Sequence, residues 1–182
     1  MIRAVVTIAG PPGSGKSTAG RLTAATLGLE FRSAGELFRA EAARRGASLA
    51  EFGEYARAHP EVDRELDRAM QELARPGRLL EGRIQGILCR RNGLPVHHIA
   101  VTASEEERIR RVAGRDHQSI DEAREAVRTR EAVERERYRA FYGIDLDRDV
   151  PDLLVDSTSM PPVAVAEAIV TFVREAERTA DR

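Results

Sequence analysis

The chain has 182 residues, of which 42% are hydrophobic and 32% are charged, with a formal net charge of -1. This length and composition predict one globular domain and exclude a disordered chain, and the balanced charge argues against a basic face for nucleic acid. No apolar run approaches the ~20 residues of a membrane-spanning helix, so we expect a protein that does not bind membranes. No charged signal segment precedes the first apolar stretch, and the single cysteine, Cys89, has no partner for an internal disulfide. We therefore expect a cytoplasmic protein.

The first predicted element is a buried strand over residues 4–9, and a glycine-rich loop follows it directly. Residues 10–18 read Gly-Pro-Pro-Gly-Ser-Gly-Lys-Ser-Thr, which satisfies the G-x-x-x-x-G-K-[ST] pattern of a phosphate-binding loop. In such a loop the backbone N–H groups converge on phosphate oxygens, and the serine after the lysine ligates Mg²⁺. A helical pattern then runs to Gly28, so strand, loop and helix follow in the required order. The predicted ATP-binding residues are Gly10, Pro11, Pro12, Gly13, Ser14, Gly15, Lys16, Ser17 and Thr18, with Ser17 as a metal ligand.

Lys16 is the only lysine among the 29 lysine and arginine residues of the chain. Lysine is a compact charge that fits inside a phosphate-binding loop, where the planar fork of arginine does not replace it. The absence of a second lysine also argues against a GTP-binding switch, because such proteins read guanine with an Asn-Lys-x-Asp motif. Lys16 is therefore the predicted catalytic contact to the phosphates of ATP.

Further short apolar strands alternate with helical stretches along the rest of the chain. The connections between the strands are long enough to be helical, which favours a parallel sheet with helices on both faces. The predicted fold is an α/β P-loop NTPase sandwich of three layers around a five-stranded parallel sheet. The four later strands are predicted over residues 29–32, 78–80, 97–102 and 153–155.

Four other side chains have structural interpretations. Ser48 and Ser119 each precede a glutamate by three residues, which predicts a capping box at the start of a helix. His97 and His98 are neighbours in a predicted strand and point to opposite faces, so they do not easily ligate one metal ion. We interpret both histidines as structural and expect magnesium as the only metal.

Two motifs follow predicted strands, where the carboxyl ends of a parallel sheet face the ligand crevice. Residues 33–39 read Ser-Ala-Gly-Glu-Leu-Phe-Arg, and residues 80–83 read Leu-Glu-Gly-Arg. Arg39 and Arg83 are therefore expected to converge. With the Gly-Pro-Pro-Gly loop, these motifs resemble the nucleoside monophosphate kinases, and most closely the archaeal-type cytidylate kinases, over nearly the whole chain.

The resemblance implies roles on the acceptor side. Arg39 and Arg83 would grip the phosphate of the acceptor, a task that suits bidentate arginine. Glu81 stands where other members carry an aspartate near magnesium, which makes it a second candidate metal ligand after Ser17. Ser33 can also be a plain helix N-cap, since residues 33–36 fit a capping box. The implied substrate-binding residues are Ser33, Gly35, Arg39, Asp63, Asp67, Arg68, Gly82, Arg83, Arg130, Glu134 and Arg137.

Some of these residues have a simpler interpretation as charges on solvated helices. Asp63, Asp67 and Arg68 match base-reading positions of the family, but an exposed helix face carries charges in any case. Arg130, Glu134 and Arg137 lie on one helical face at i, i+4 and i+7 and resemble a set that cytidylate kinases point at the acceptor nucleotide. The same residues would also form i,i+4 ion pairs on any solvated helix. The residue pattern leaves both interpretations open.

Arg111 and Arg115 precede a polar break at residues 116–119, where the resemblance places a short mobile lid. Lids exclude water during transfer, and phosphoryl transfer is catalysed by positive charge around the moving group. Arg111 and Arg115 are therefore predicted to be catalytic, together with Lys16 and Arg83.

The expected reaction is ATP- and Mg²⁺-dependent phosphoryl transfer to CMP or dCMP, giving the diphosphate. We expect one domain over residues 1–182, with a helical acceptor-binding insertion at 34–75, a lid at 111–120, small-molecule nucleotides as partners and a monomeric state. One alternative is a kinase of the same fold that acts on another nucleoside monophosphate, a modified cytidylate or a non-nucleotide small molecule. The alternative of another class is an ATP-dependent regulatory binding module, against which two arginines placed for an acceptor phosphate argue.

Overall fold

The structure is a computed structural model that describes residues 2–180, apart from the side chains of residues 49 and 50. The described strands are β1 Val5–Ala9, β2 Glu30–Ser33, β3 Arg78–Glu81, β4 Val96–Thr102 and β5 Leu153–Asp156. The described helices are α1 Lys16–Leu27, α2 Ala34–Arg44, α3 Leu49–Ala58, α4 Pro60–Glu72, α5 Gln85–Arg91, α6 Glu105–Asp116, α7 Ile120–Tyr142 and α8 Pro162–Thr179, with a short 3₁₀ turn at Leu146–Arg148.

All five predicted strands are confirmed, each to within one residue at either end. They form one parallel sheet in the order β2-β3-β1-β4-β5, which confirms the predicted α/β P-loop fold. β1 is the central strand, with β3 on one side of it and β4 on the other. A crevice at such a switch point, beyond the carboxyl ends of the strands, is where ligands bind in this class of fold.

The core occupies both faces of the sheet because consecutive residues of β1 point to opposite sides. Val6 and Ile8 pack with Ile169 and Val173 of α8 on one face, and each is at most 1% exposed. Burial of side chains of this size stabilises the fold by about 1.5–3 kcal/mol each. On the other face Val5 packs with Met70, Leu80 and Cys89. Burial raises the pKa of the Cys89 thiol, which makes it an unreactive part of this second cluster.

Local signals place the ends of the helices as predicted. Gly28 ends α1 in the left-handed conformation, with φ of 66°. Ser48 and Ser119 form complete capping boxes with Glu51 and Glu122. None of the helices within residues 2–180 is both long and apolar enough to span a membrane.

The two histidines of β4 have different partners, as opposite faces of a strand require. The ring of His98 is fully buried, and lies 3.0 Å from Thr7 Oγ1 and 2.8 Å from Asp149 Oδ2. His97 Nε2 lies 2.9 Å from Glu177 Oε1, which also accepts hydrogen bonds from the backbone N–H groups of Arg3 and Ala4. Glu177 therefore ties α8 to the beginning of β1.

Replacement of Glu177 by glutamine is expected to lower the free energy of unfolding at neutral pH by about 1–2 kcal/mol. Partial burial would raise the pKa of Glu177, but the hydrogen bonds from His97, Arg3 and Ala4 outweigh it and lower the pKa to about 2. The carboxylate therefore stabilises the fold above pH 4.5 and loses this effect as the pH falls toward 2. Urea unfolding followed by circular dichroism at pH 7 and at pH 3 checks this. A difference between the two proteins that does not shrink at the lower pH would contradict it.

Candidate active site

The phosphate-binding loop lies between the end of β1 and the start of α1. Gly13 has φ of 79°, and a Cβ there would lie 2.5 Å from the carbonyl oxygen of Arg108, so only glycine fits. No side chain caps the beginning of α1, and its first turn carries no acidic residue. The free N–H groups and the positive end of the helix dipole therefore face the loop, an arrangement that suits a phosphate. Ser14 Oγ is buried without a hydrogen-bond partner, while Ser17 and Thr18 are exposed at the helix start.

Lys16 lies within the loop and faces the end of β3. Its Nζ is 3.7 Å from Glu81 Oε1 and donates a hydrogen bond of 3.4 Å to the carbonyl of Pro11. Burial lowers the pKa of Lys16 below its usual range, and the charge of Glu81 opposes that shift. Glu81 is itself buried and accepts a hydrogen bond from the Ser33 hydroxyl. Ser33 at the end of β2 and Glu81 at the end of β3 thus place a carboxylate beside the lysine of the loop.

Ser33 is the N-cap of α2, which is one of its two predicted interpretations. Its hydroxyl caps α2 by accepting from the backbone N–H of Glu36 at 3.3 Å, and it donates to Glu81. The side chain of Glu36 pairs with Arg21 instead of completing a capping box. Ser33 is therefore an N-cap that also orients the carboxylate beside Lys16.

Arg83 follows β3 and pairs with Glu134 in the middle of α7. Arg83 Nε lies 2.8 Å from Glu134 Oε2, and Glu134 Oε1 accepts a hydrogen bond of 2.9 Å from Arg130. Burial would raise the pKa of Glu134, but the charges of Arg130 and Arg83 outweigh it and lower the pKa. The charges of Glu134, Arg83 and Arg130 also act on Lys16. One network of charges therefore joins the loop to the centre of α7.

A second set of polar contacts joins α4 to α7. Arg137 donates a hydrogen bond of 3.1 Å to Asp63 Oδ1, while Asp63 Oδ2 is buried without a partner. Asp67 accepts from the Tyr142 hydroxyl at 2.7 Å and from the Gln85 amide at 3.1 Å. Burial raises the pKa of both Asp63 and Asp67.

These contacts show that Asp63 of α4 and Glu134 of α7 are not charges on a solvated helix face. Asp63 is 5% exposed and Glu134 is 6% exposed, so neither carboxylate belongs to a solvated face. Buried carboxylates are rare unless they are paired, and here both have arginine partners from a distant part of the chain. The interpretation as solvated charges holds better for Arg68 and Arg130, whose side chains are exposed.

The other predicted acceptor residues are two exposed arginines, Arg39 and Arg68, and two glycines, Gly35 and Gly82. Arg39 and Arg68 are exposed, and neither has an ion-pair partner among the described residues. The guanidinium of Arg39 folds over Gly35, where a Cβ would lie 3.4 Å from Arg39 Nη1. Gly82 contacts Gln85 so closely that a Cβ would lie 2.9 Å from Gln85 Cγ. Arg39 is thus available for a ligand, whereas the glycines permit close packing.

The predicted lid arginines differ in their placement. Arg111 donates hydrogen bonds to the carbonyl of Gly13 at 3.4 Å and to Ser157 Oγ at 2.9 Å, so it lies against the phosphate-binding loop. Arg115 is exposed and pairs with Asp116, and the structure brings it to no loop residue. The break between α6 and α7 is present, with His117 in the left-handed conformation at φ of 54°.

Three residues near the site were not predicted as site residues from the sequence. Arg108 is buried and donates to the carbonyl of Pro12, and it forms an ion pair with Glu131. Ser157 donates to the carbonyl of Ser14 at 2.9 Å and thereby links the end of β5 to the loop. Gln85 bonds to Asp67. The position of Ser157 directly after a strand was a signal for it, whereas nothing local distinguished Arg108 from its neighbouring arginines.

The metal-ligand prediction concerns Ser17 and Glu81. Within residues 2–180 no group of three or more His, Cys, Asp or Glu residues could hold a metal ion. Mg²⁺ in phosphoryl-transfer sites uses one or two protein oxygens together with substrate phosphates and water, so it needs no such cage. The hydroxyl of Ser17 and the carboxylate of Glu81 fit that kind of donor set.

Comparisons with known proteins agree with this geometry. The family model described as AAA domain matches residues 9–129. A cytidylate kinase from Archaeoglobus fulgidus is 37% identical over 171 residues, covering 92% of this chain and 93% of that protein. A cytidylate kinase from Ignicoccus hospitalis is 43% identical over 169 residues, covering 91% and 96%. The crystal structure of a shikimate kinase from Bacteroides thetaiotaomicron superimposes with a TM-score of 0.60 at 15% identity, covering 96% and 98%, which shows a shared fold.

Proposed function

The chain belongs to the cytidylate kinase family, and we propose that it transfers the γ-phosphoryl group of ATP to CMP or dCMP. The observation that carries this proposal is the network Lys16–Glu81 and Arg83–Glu134–Arg130. The charges of Arg83 and Arg130 act on Lys16, which supports a second phosphate site beside the phosphate-binding loop. Two adjacent phosphate sites are what a transfer between two nucleotides requires.

In the proposed mechanism the acceptor phosphate attacks the γ-phosphorus in line, and ADP leaves. The acceptor is already an anion, so the protein need not supply a general base. Lys16 and the amides of residues 13–18 hold the donor phosphates, while Arg83 and Arg39 hold the acceptor phosphate. Arg111 offers positive charge to the moving group, where charge accumulates in the transition state. Catalysis thus consists of positioning and charge stabilisation.

Mg²⁺ would be held by the Ser17 hydroxyl and, with its waters, by Glu81. It would neutralise charge on the donor phosphates when bound. Ser33 fixes the direction of the Glu81 carboxylate through its hydrogen bond.

We propose that residues 34–75 hold the acceptor and that residues 111–120 close over the phosphates. Asp63 of α4 pairs with Arg137 of α7, so the acceptor-side residues of these two helices face each other. We also propose that the protein is a cytoplasmic monomer that acts on small-molecule nucleotides. The similar proteins described above are kinases, which argues against a regulatory binding module.

The base-reading part of the proposal depends on Asp63. Its Oδ1 is committed to Arg137, but its buried Oδ2 has no partner. A buried acceptor without a donor is unfavourable, and the exocyclic amino group of cytosine would supply one. Uracil presents a carbonyl oxygen at the same position, which would face the carboxylate as a second acceptor. This supports a preference for CMP over UMP.

Acceptor profiling with purified protein tests the proposed function. With ATP as donor, CMP and dCMP are expected to have the highest kcat/KM among nucleoside monophosphates, followed by UMP. A site that must leave a buried polar group unpaired discriminates by about 10²-fold or more. Faster phosphorylation of AMP, of a nucleoside or of a sugar alcohol would contradict the acceptor assignment and leave the donor assignment intact.

The same assay with Asp63→Asn sharpens the test. The amide would offer a donor toward the carbonyl of uracil, so the ratio of kcat/KM for CMP to that for UMP is expected to fall. Glu65→Gln is the matched control, because Glu65 is exposed on the same helix. An unchanged ratio in the Asp63 variant would remove Asp63 from base recognition.

A further inference from the structure

Glu134 is the buried carboxylate at the centre of the acceptor-side cations. It is 6% exposed and lies between Arg83 and Arg130, halfway along α7. Its Oε2 is only 2.8 Å from Arg83 Nε, yet neither atom has an aligned hydrogen-bond partner. The two groups are therefore in ionic contact, while the Nη groups of Arg83 have no hydrogen-bond partner among the described residues.

Charge makes Glu134 a competitor for anything that binds Arg83. Three cations, Lys16, Arg83 and Arg130, face two carboxylates, Glu81 and Glu134, so this region carries one excess positive charge. A phosphate that approaches Arg83 meets the negative charge of Glu134 at close range. In a buried setting this repulsion is poorly screened by water or salt. Any anion must share Arg83 with Glu134 or displace it.

We propose that Glu134 is an internal competitor that sets an affinity threshold for anions at the acceptor site. This rests on the proposed function, which makes Arg83 a ligand of the acceptor phosphate. Glu134 weakens the binding of every anion to Arg83 by a similar factor. A nucleoside monophosphate still binds because its base and sugar add contacts elsewhere, whereas inorganic phosphate has no such contacts. The threshold raises the Kd of phosphate, so the acceptor site stays largely unoccupied in a solution that contains free phosphate.

Calorimetric titration of inorganic phosphate tests the proposal without any turnover, so its result does not depend on which acceptor is phosphorylated. Glu134→Gln keeps the shape and removes the charge, and is expected to bind phosphate about tenfold more tightly than the wild type. Glu136→Gln, on the same helix but exposed, is the matched control and is expected to bind like the wild type. In assays, phosphate should become a stronger competitor of CMP in the Glu134 variant.

A merely structural role for Glu134 predicts the opposite sign. If Glu134 only holds the arginines in place, its loss should weaken phosphate binding, and unchanged or weaker binding in Glu134→Gln would overturn the proposal. Nitrogen-15 spectra of the arginine Nε–H groups provide a test in the wild type. At equal concentrations CMP is expected to shift the Arg83 signal and phosphate is not. If phosphate saturated the shift of the Arg83 signal at the same concentration as CMP, the proposal would also be overturned.

Discussion

Replacement of Lys16 by alanine is expected to lower kcat/KM for phosphoryl transfer by about 10³-fold. Removal of a single preorganised charge contact from a transition state costs on the order of 10²- to 10³-fold in kcat, and Lys16 also contributes to binding of ATP. Its Nζ is held by Glu81 and the carbonyl of Pro11. Arginine at this position is not expected to restore activity, because its planar fork is too large for the loop.

The same substitution is expected to leave the free energy of unfolding within about 1 kcal/mol of the wild type. Burial lowers the pKa of Lys16, so the folded protein holds this ammonium at a net cost, which alanine relieves. Glu81 keeps its hydrogen bond from Ser33. The chain has no tryptophan, so urea unfolding followed by circular dichroism is the suitable measurement. Arg174→Ala, at an exposed position of α8, is the control.

Two results would contradict the role of Lys16. One is a folded Lys16→Ala protein with near-normal activity, and the other is a loss of activity explained by unfolding. The wild type offers a further check, because Lys16 is its only side-chain amine. A non-hydrolysable ATP analogue is expected to protect this amine from an amine-selective reagent, as measured by mass spectrometry.

Replacement of Arg83 by alanine is expected to reduce kcat/KM for CMP by about 10²- to 10³-fold, with the KM for ATP changed by less than about threefold. Arg83 faces Glu134 and α7, while the donor loop is served by Lys16 and the amides of α1. Arg83→Lys keeps the charge but lacks the fork that grips two phosphate oxygens, so it is expected to recover only a small part of the activity.

Steady-state kinetics with each substrate varied in turn separates the two sites. Arg110→Ala is the matched control, because Arg110 is an exposed arginine of α6 whose ion-pair partner within residues 2–180 is Glu107. It should behave as the wild type. If Arg83→Ala weakened ATP as much as CMP, Arg83 would belong to the donor site and the division of roles between Lys16 and Arg83 would be wrong.

The sheet and the phosphate-binding loop could be predicted because their signals are local. The strands other than β2 contain short apolar runs, and the boundaries of all five strands lie within one residue of the prediction. The loop depends on consecutive residues, and Gly13 adopts a positive φ that its place in the motif requires. The capping serines Ser48 and Ser119 likewise act only on the next three residues.

The acceptor side could be predicted only as a set of residues, without their pairing. Asp63 and Glu134 could equally have been solvated charges, because helical spacing does not reveal burial. Their partners Arg137 and Arg83 are 74 and 51 positions away along the chain. Arg111 and Arg115 were equivalent by sequence, yet only Arg111 reaches the loop.

The amino-acid sequence by itself thus determined the fold, the phosphate-binding loop and the place of the single lysine, Lys16, in that loop, because each follows from contiguous residues. The tertiary structure alone decided which charges are buried together. Packing of α7 against α4 and the end of β3 removes Glu134 and Asp63 from water, and in that setting their charges act strongly on one another. Lys16 therefore belongs to a single network with Arg83 and Glu134, which no local pattern in the sequence could specify.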